Sequence, residues 1–182
     1  MSELVSYFGY GANRDRRMMA AITGKPASKL VGYTGILKGF GLAIQNLDQV
    51  PATLSKDSEL PISPQEILRD KWGEGFRSYV IFPKVGQGVI GTIWKLTPDE
   101  RERVRDWELV GDWYQDAVGT VDTDNGSVDI ITESLGNGQT YATEVNGIDY
   151  PTWLQPAAKF EVIAGLVRQE YDERLFGTAG QQ

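Results

Sequence analysis

Short apolar, β-branched and aromatic runs recur along the chain at about 4–10, 30–46, 78–83, 88–96, 113–122, 127–134 and 139–145. That cadence constrains the fold more than any other feature. Runs bounded by Gly, Asn and Asp read as strands, and the turns Asp124-Asn125-Gly126 and Gly136-Asn137-Gly138 separate the later ones. The spacing predicts antiparallel hairpins feeding a barrel. Helical patterns are confined to 14–22, 97–109 and 156–171, with a short helix following the capping-box pair Ser63 and Glu66. The last long helix places Phe160, Ile163, Ala164 and Val167 on one face, as a helix packed on a sheet requires.

The first strand ends in Tyr7-Phe8-Gly9-Tyr10-Gly11-Ala12-Asn13 and runs straight into a helix. Gly11 relaxes the backbone at the turn, and Asn13 is the expected N-cap of Arg14–Ile22. N–H groups at such a turn lack helical partners, so a carboxylate or a developing oxyanion can bind there; an ordinary strand-to-helix connection would look the same. Tyr7 and Tyr10 alternate with Phe8 on strand spacing, so one set faces the core and the other the mouth. Tyr10, adjoining the turn, is the stronger candidate for a ligand contact.

Glu108 is the outstanding acidic residue. Thr97 and Glu100 form a capping box with Pro98 at the first helical position, and Leu96, Glu100, Val104, Trp107 and Glu108 then share one face. A carboxylate beside Val104 and Trp107 should bind its proton tightly, which suits general acid and base work. The alternative is a side chain that snorkels at the helix end or pairs with Arg105.

The order of Tyr-Phe-Gly-Tyr-Gly-Ala-Asn, then the strand Val89-Ile90-Gly91-Thr92-Ile93-Trp94, then a helix ending at Glu108 and a strand opening at Tyr114, resembles the gamma-glutamylcyclotransferase family and its gamma-glutamylamine cyclotransferase-like relatives. The likeness covers most of residues 5 to 145. It implies an α+β fold, a small mixed β-barrel with helices packed outside, whose mouth holds a gamma-glutamyl group without metal or cofactor. It implies Glu108 as catalytic acid and base, and Tyr7, Tyr10, Gly11, Ala12, Asn13, Tyr114 and Tyr141 as substrate-binding residues. N–H groups of Gly11, Ala12 and Asn13 would hold the gamma-carbonyl oxygen or the substrate's alpha-carboxylate. The implied reaction is cyclisation to 5-oxoproline with release of an amine or amino acid. Two positions depart from the family pattern: Ala12 stands where Ser or Thr is usual, and Leu109 follows the glutamate where glycine is usual. Both favour the alternative of a catalytically silent binder or interaction module on the same fold. A hydrolase that activates water with Glu108 is a third reading. Tyr141 is equally readable as a core tyrosine.

Composition narrows the chemistry further. The chain has 182 residues, 41% of them hydrophobic, enough for one domain over 1–176. A net charge of -7 with no basic stripe argues against nucleic-acid partners. Neither Cys nor His is present, which removes thiolate and imidazole nucleophiles, the usual zinc ligands and any disulfide framework. No signal-peptide pattern or membrane-length apolar run is visible, so the expected setting is the cytoplasm, away from membranes. The stretch 51–76 breaks the strand pattern and reads as a loop plus short helix beside the pocket, either a substrate lid or an excursion closing one barrel end. Residues from 172 on are expected to fray, and 177–182 to form a disordered tail. The leaving group, which glutathione, dipeptides, gamma-glutamyl-lysine and carrier-bound groups would each supply differently, and the oligomeric state are left open by the sequence.

Overall fold

The computed structural model describes residues 3–177. It contains strands β1 (Val5–Gly9), β2 (Gly32–Asn46), β3 (Arg77–Leu96), β4 (Gln115–Thr123), β5 (Gly126–Ser134) and β6 (Thr143–Val145). Helices α1 (Arg16–Thr23), α2 (Pro64–Trp72), α3 (Pro98–Trp107) and α4 (Ala157–Phe176) complete the α+β architecture. The strands follow the order β3-β1-β5-β4-β2-β6, and a further β2–β3 pairing closes the first five into a ring. Every pairing is antiparallel except β1 with β5, so the ring is mixed. Helices lie outside it. None of the described helices is long and apolar enough to cross a membrane.

Alternation along β1 divides the core. Phe8 joins Leu37, Ile81, Val89, Ile93 and Ile130 inside the ring, whereas Tyr7 faces outward with Trp94 against Met18, Ile22 and Val104 of α1 and α3. A third cluster sets Val80 and Trp113 against Trp72 of α2 and Ile163 of α4. Period-two burial on a closed ring is what lets one short strand serve two cores.

Three expected boundaries shift. The runs 78–83 and 88–96 are one long strand, β3, whose partner register slips between Lys38 and Phe40 of β2 while residues 84–87 swing out unpaired. The run 139–145 shrinks to Thr143–Val145, because the Gln45 amide donates to the Thr140 carbonyl (3.1 Å) and to Gln139 Oε1 (3.0 Å) and takes the place of a ladder. The C-terminal helix does not fray at 172. It continues to Phe176, tied to α3 by Arg103–Asp172 (3.1 Å) and Arg174–Asp106 (2.7 Å). Of the expected disordered tail, residues 178–182 lie outside the described residues. The 51–76 insert forms a loop and α2, held to the end of β2 by the Gln65 side-chain amide on the Leu47 and Val50 carbonyls (both 3.2 Å).

Gly91 on β3 is required by a close approach. A Cβ there would strike the Phe8 ring and stand 2.5 Å from the Gly9 carbonyl oxygen. Gly91→Ala should cost about 2–3 kcal/mol, the scale of overpacking, and lower the midpoint of thermal unfolding by roughly 5–10 °C. An unchanged midpoint would show that β1 and β3 can separate freely.

Candidate active site

The turn after β1 is a single 3-10 turn, Gly11–Arg14, and α1 begins only at Arg16. Asp15 caps α1, accepting from the N–H groups of Arg17 (2.8 Å) and Met18 (3.2 Å). Asn13 is therefore not the N-cap expected from sequence, because the extra turn moves the helix start past it. Gly11 has a φ of +60°, and a Cβ there would lie 2.8 Å from the Tyr79 ring. Both facts require glycine. The β3 motif fastens this turn from behind: the Trp94 indole N–H donates to the Asn13 carbonyl (2.8 Å) and the Thr92 hydroxyl to that of Arg14 (3.1 Å).

Freed from capping, the Asn13 side chain is buried and does other work. Its Nδ2 donates to Glu108 Oε1 (2.7 Å) and to the Tyr7 hydroxyl (2.9 Å). The Tyr7 hydroxyl donates to Glu133 Oε2 (2.9 Å), and Arg101 Nη1 donates to Glu133 Oε1 (2.6 Å). One continuous chain thus runs from Glu108 through Asn13 and Tyr7 to Glu133 and Arg101. Glu108 stands at the C-terminal end of α3, whose start is set by the reciprocal Thr97–Glu100 capping box. It does not pair with Arg105, which turns to Asp116 and Glu102. The next residue, Leu109, has a φ of +50° and is the one non-glycine residue in the left-handed region among the described residues. The backbone there keeps a shape that glycine would adopt without strain, at a cost of about 1–2 kcal/mol.

The buried Glu133 and the half-buried Glu108 have one cation near them, and it contacts Glu133 alone, so the two do not ionise alike. Glu133 keeps Arg101 beside it, although burial still pushes its proton affinity up. Glu108 is pushed to about 8, first by burial and then by the negative charge of Glu133, against the Asn13 hydrogen bond and Arg101, which pull it down. Burial, aided by these acids, raises Tyr7, Tyr10 and Tyr114 well above the ordinary tyrosine value, so all three stay protonated. Glu108 is left as the member of this group that exchanges a proton near neutrality.

A cavity of about 380 Å³ opens on this group, with Tyr7, Tyr10, Ala12, Asn13, Glu108 and Tyr114 in its wall. Gly11 also lines it, but its N–H points at the Tyr150 hydroxyl (3.3 Å), and the Asn13 N–H is taken by the Tyr10 carbonyl (3.2 Å). Of the three turn donors expected from sequence, the Ala12 N–H alone carries no hydrogen bond among the described residues. Hydroxyls are likewise committed: Tyr10 donates to the Glu133 carbonyl (2.8 Å) and Tyr114 to that of Tyr79 (2.6 Å). Tyr141 does not reach the cavity. Its ring stacks on Phe82 at 4.8 Å, on the segment that Gln45 holds out of the sheet.

Glu133 and Arg101 were not legible as site residues. Arg101 sits three residues before Val104 and seven before Glu108, on the same helical face, and that spacing was the available signal. For Glu133 the signal was weaker, a lone acid between Thr132 and Ser134 at the end of an apolar strand.

No protein-family model matches the chain, and no curated protein matches it in sequence. Among solved structures, gamma-glutamyl cyclotransferase superposes with a TM-score of 0.56 at 18% identity, over 95% of this chain and 86% of that one. An uncharacterized protein from Homo sapiens superposes with a TM-score of 0.55 at 19% identity, over the same shares. The chain shares the gamma-glutamyl cyclotransferase-like fold.

Ionisation of Glu108 has a consequence for stability. An unfolded glutamate releases its proton near 4.5 and the folded one near about 8. Between these values the unfolded chain is ionised while the folded site holds its proton, so stability from this group is complete below about 4.5 and is lost as pH rises through about 8. Glu108→Gln removes that loss. The variant should melt several degrees above the parent at alkaline pH, with the gap closing toward pH 4.5. A gap independent of pH would show that Glu108 titrates normally.

Proposed function

We propose that the chain cleaves gamma-glutamyl amides or amines by intramolecular cyclisation, releasing 5-oxoproline and a free amine or amino acid. The observation that carries this reading is Glu108, held by Asn13 through one oxygen at the wall of a cavity on this fold, with a proton affinity near about 8. The substrate's alpha-amine is an ammonium at neutral pH. It must lose a proton before its nitrogen can attack the gamma-carbonyl carbon, and a carboxylate with raised affinity accepts that proton more readily than an exposed one. The new carbon–nitrogen bond closes the lactam and the old one breaks as Glu108 returns the proton to the departing nitrogen; the ring nitrogen gives up its second excess proton to the released amine, which leaves as an ammonium. Nucleophile and electrophile share one molecule, so holding them together supplies much of the rate. Charge that develops on the carbonyl oxygen can be met by the free Ala12 N–H.

The shortage of free donors at the turn favours a second reading, a silent binder on the same fold. Incubation with a panel of gamma-glutamyl amino acids and amines, followed by mass spectrometry, separates the alternatives. The expected product is 5-oxoproline, reduced roughly 100-fold or more in Glu108→Gln, the scale of losing a general base. Free glutamate would indicate hydrolysis, and binding without product a silent site.

The pH profile is a separate test. Only the ionised carboxylate accepts the proton, so kcat/KM should rise with pH and level off above about 8. The substrate ammonium beside Glu108 favours its charge, so kcat should level off at lower pH than kcat/KM. Profiles flat from about pH 6 to 9 would remove Glu108 from the role of base.

A further inference from the structure

The cavity is much more than a carboxylate pocket. From Tyr114, close enough to Glu108 to feel its charge, an unbroken run of rings leads away: Tyr114 to Trp113 at 4.3 Å, Trp113 to Phe76 at 6.0 Å, Phe76 to Trp72 at 5.5 Å and Trp72 to Phe160 at 4.4 Å. The 51–76 insert adds Leu60, Ile62 and Ile67 to the same wall. Cavities of about 300–1,000 Å³ take drug-sized ligands. At about 380 Å³ this one holds a glutamyl group and a substantial substituent.

The polar groups among these rings are already spent. The Trp113 indole N–H donates to Gln45 Oε1 (2.8 Å) and the Tyr114 hydroxyl to the Tyr79 carbonyl (2.6 Å). Of the lining charges, Arg174 pairs with Asp106 at 2.7 Å and Lys71 with Glu170 at 3.6 Å, while the exposed Asp70 and Arg77 have no side-chain partner among the described residues. An amide, ammonium or carboxylate placed against the rings would be stripped of water with few partners, which is costly, whereas the carboxylate of an amino acid can stay at the exposed rim beside Arg77. An apolar one would gain by burial against rings and aliphatic side chains.

Resting on the cyclotransferase reading above, we infer that the leaving half of the substrate is bulky and apolar: an aromatic or branched aliphatic amine, or an amino acid with such a side chain. The insert that carries Leu60, Ile62 and Ile67 then sets specificity. A glycine-sized, lysine-like or cysteinylglycine leaving group fits the wall poorly.

The test compares gamma-glutamyl-phenylalanine and gamma-glutamyl-phenethylamine with gamma-glutamyl-glycine and gamma-glutamyl-ε-lysine, following 5-oxoproline. Burial of one ring predicts a kcat/KM at least about 10-fold higher for an apolar member than for either polar one. Which apolar member is turned over faster tells an amino acid from an amine. Ile67→Ser should narrow the preference toward parity, and Ile62→Ser serves where the first variant does not fold. Equal or better turnover of the polar members overturns the inference and leaves the cyclotransferase reading standing. No 5-oxoproline from any member overturns that reading instead. Quenching of tryptophan fluorescence by the same compounds then decides the rest: tighter binding of the apolar pair keeps the apolar wall as the recognition surface, and equal affinity removes it.

Discussion

Two carboxylates share a buried site with a single cation, and the remaining features of the site follow from how that cation is placed. Arg101 lies against Glu133 and over the Tyr7 ring at 4.9 Å, so its charge is spent chiefly on Glu133. Its Nε is buried without a hydrogen-bond partner, a cost that the ring contact and the ion pair offset. Had Arg101 reached Glu108 instead, that side chain would be fixed as an anion and would bind a proton weakly. With Arg101 paired to Glu133, Glu108 is left with an amide donor, the charge of Glu133 nearby and a partly buried setting. Proton affinity near neutrality is the result.

The fold brings these groups together through its one parallel contact. Tyr7 pairs with Ile131 across β1 and β5, which sets the Tyr7 hydroxyl within reach of Glu133 two residues further on. On its other edge β1 pairs with β3, placing Trp94 opposite Tyr7 and its indole N–H under the Asn13 carbonyl. Asn13 is then aimed at Tyr7 and Glu108 at once. Ring closure, a motif tryptophan and a short turn each supply one constraint, and removing one partner of a buried ion pair such as Arg101–Glu133 would cost about 3–5 kcal/mol. Together these constraints fix Asn13, and through it the carboxylate of Glu108, in place.

How far the sequence could be read depended on whether a signal was local. The capping box Thr97–Glu100 and the helical spacing to Glu108 are local, and helix start and glutamate both lie where the pattern places them. The strand cadence located β1 to β5 within a few residues, because alternation and turn chemistry act over short distances. Asn13 was misread as a cap because Asp15, two residues later, is equally good, and local propensity cannot choose between them. The placement of Glu133 and Tyr141 depends on contacts of a different kind. Whether a strand residue meets the site depends on ring register and on Gln45, a buried side chain far away in sequence. Non-local contacts of that kind leave no periodic trace.

Leu109 joins these two lines of argument. The resemblance treats a missing glycine after the glutamate as a mark against activity, since a changed backbone would move the carboxylate. The backbone holds a shape that glycine adopts readily: Leu109 has a φ of +50°, and the Trp113 and Asp112 N–H groups both bond its carbonyl (2.8 and 3.0 Å). Surrounding structure over-determines the strained residue, which is how such conformations persist at functional sites. Its side chain lines the cavity and packs with the cluster around Trp113. Glycine there would relieve the strain but remove part of the apolar wall. Leu109 therefore adds to the apolar wall while keeping beside Glu108 a backbone shape that glycine could also adopt.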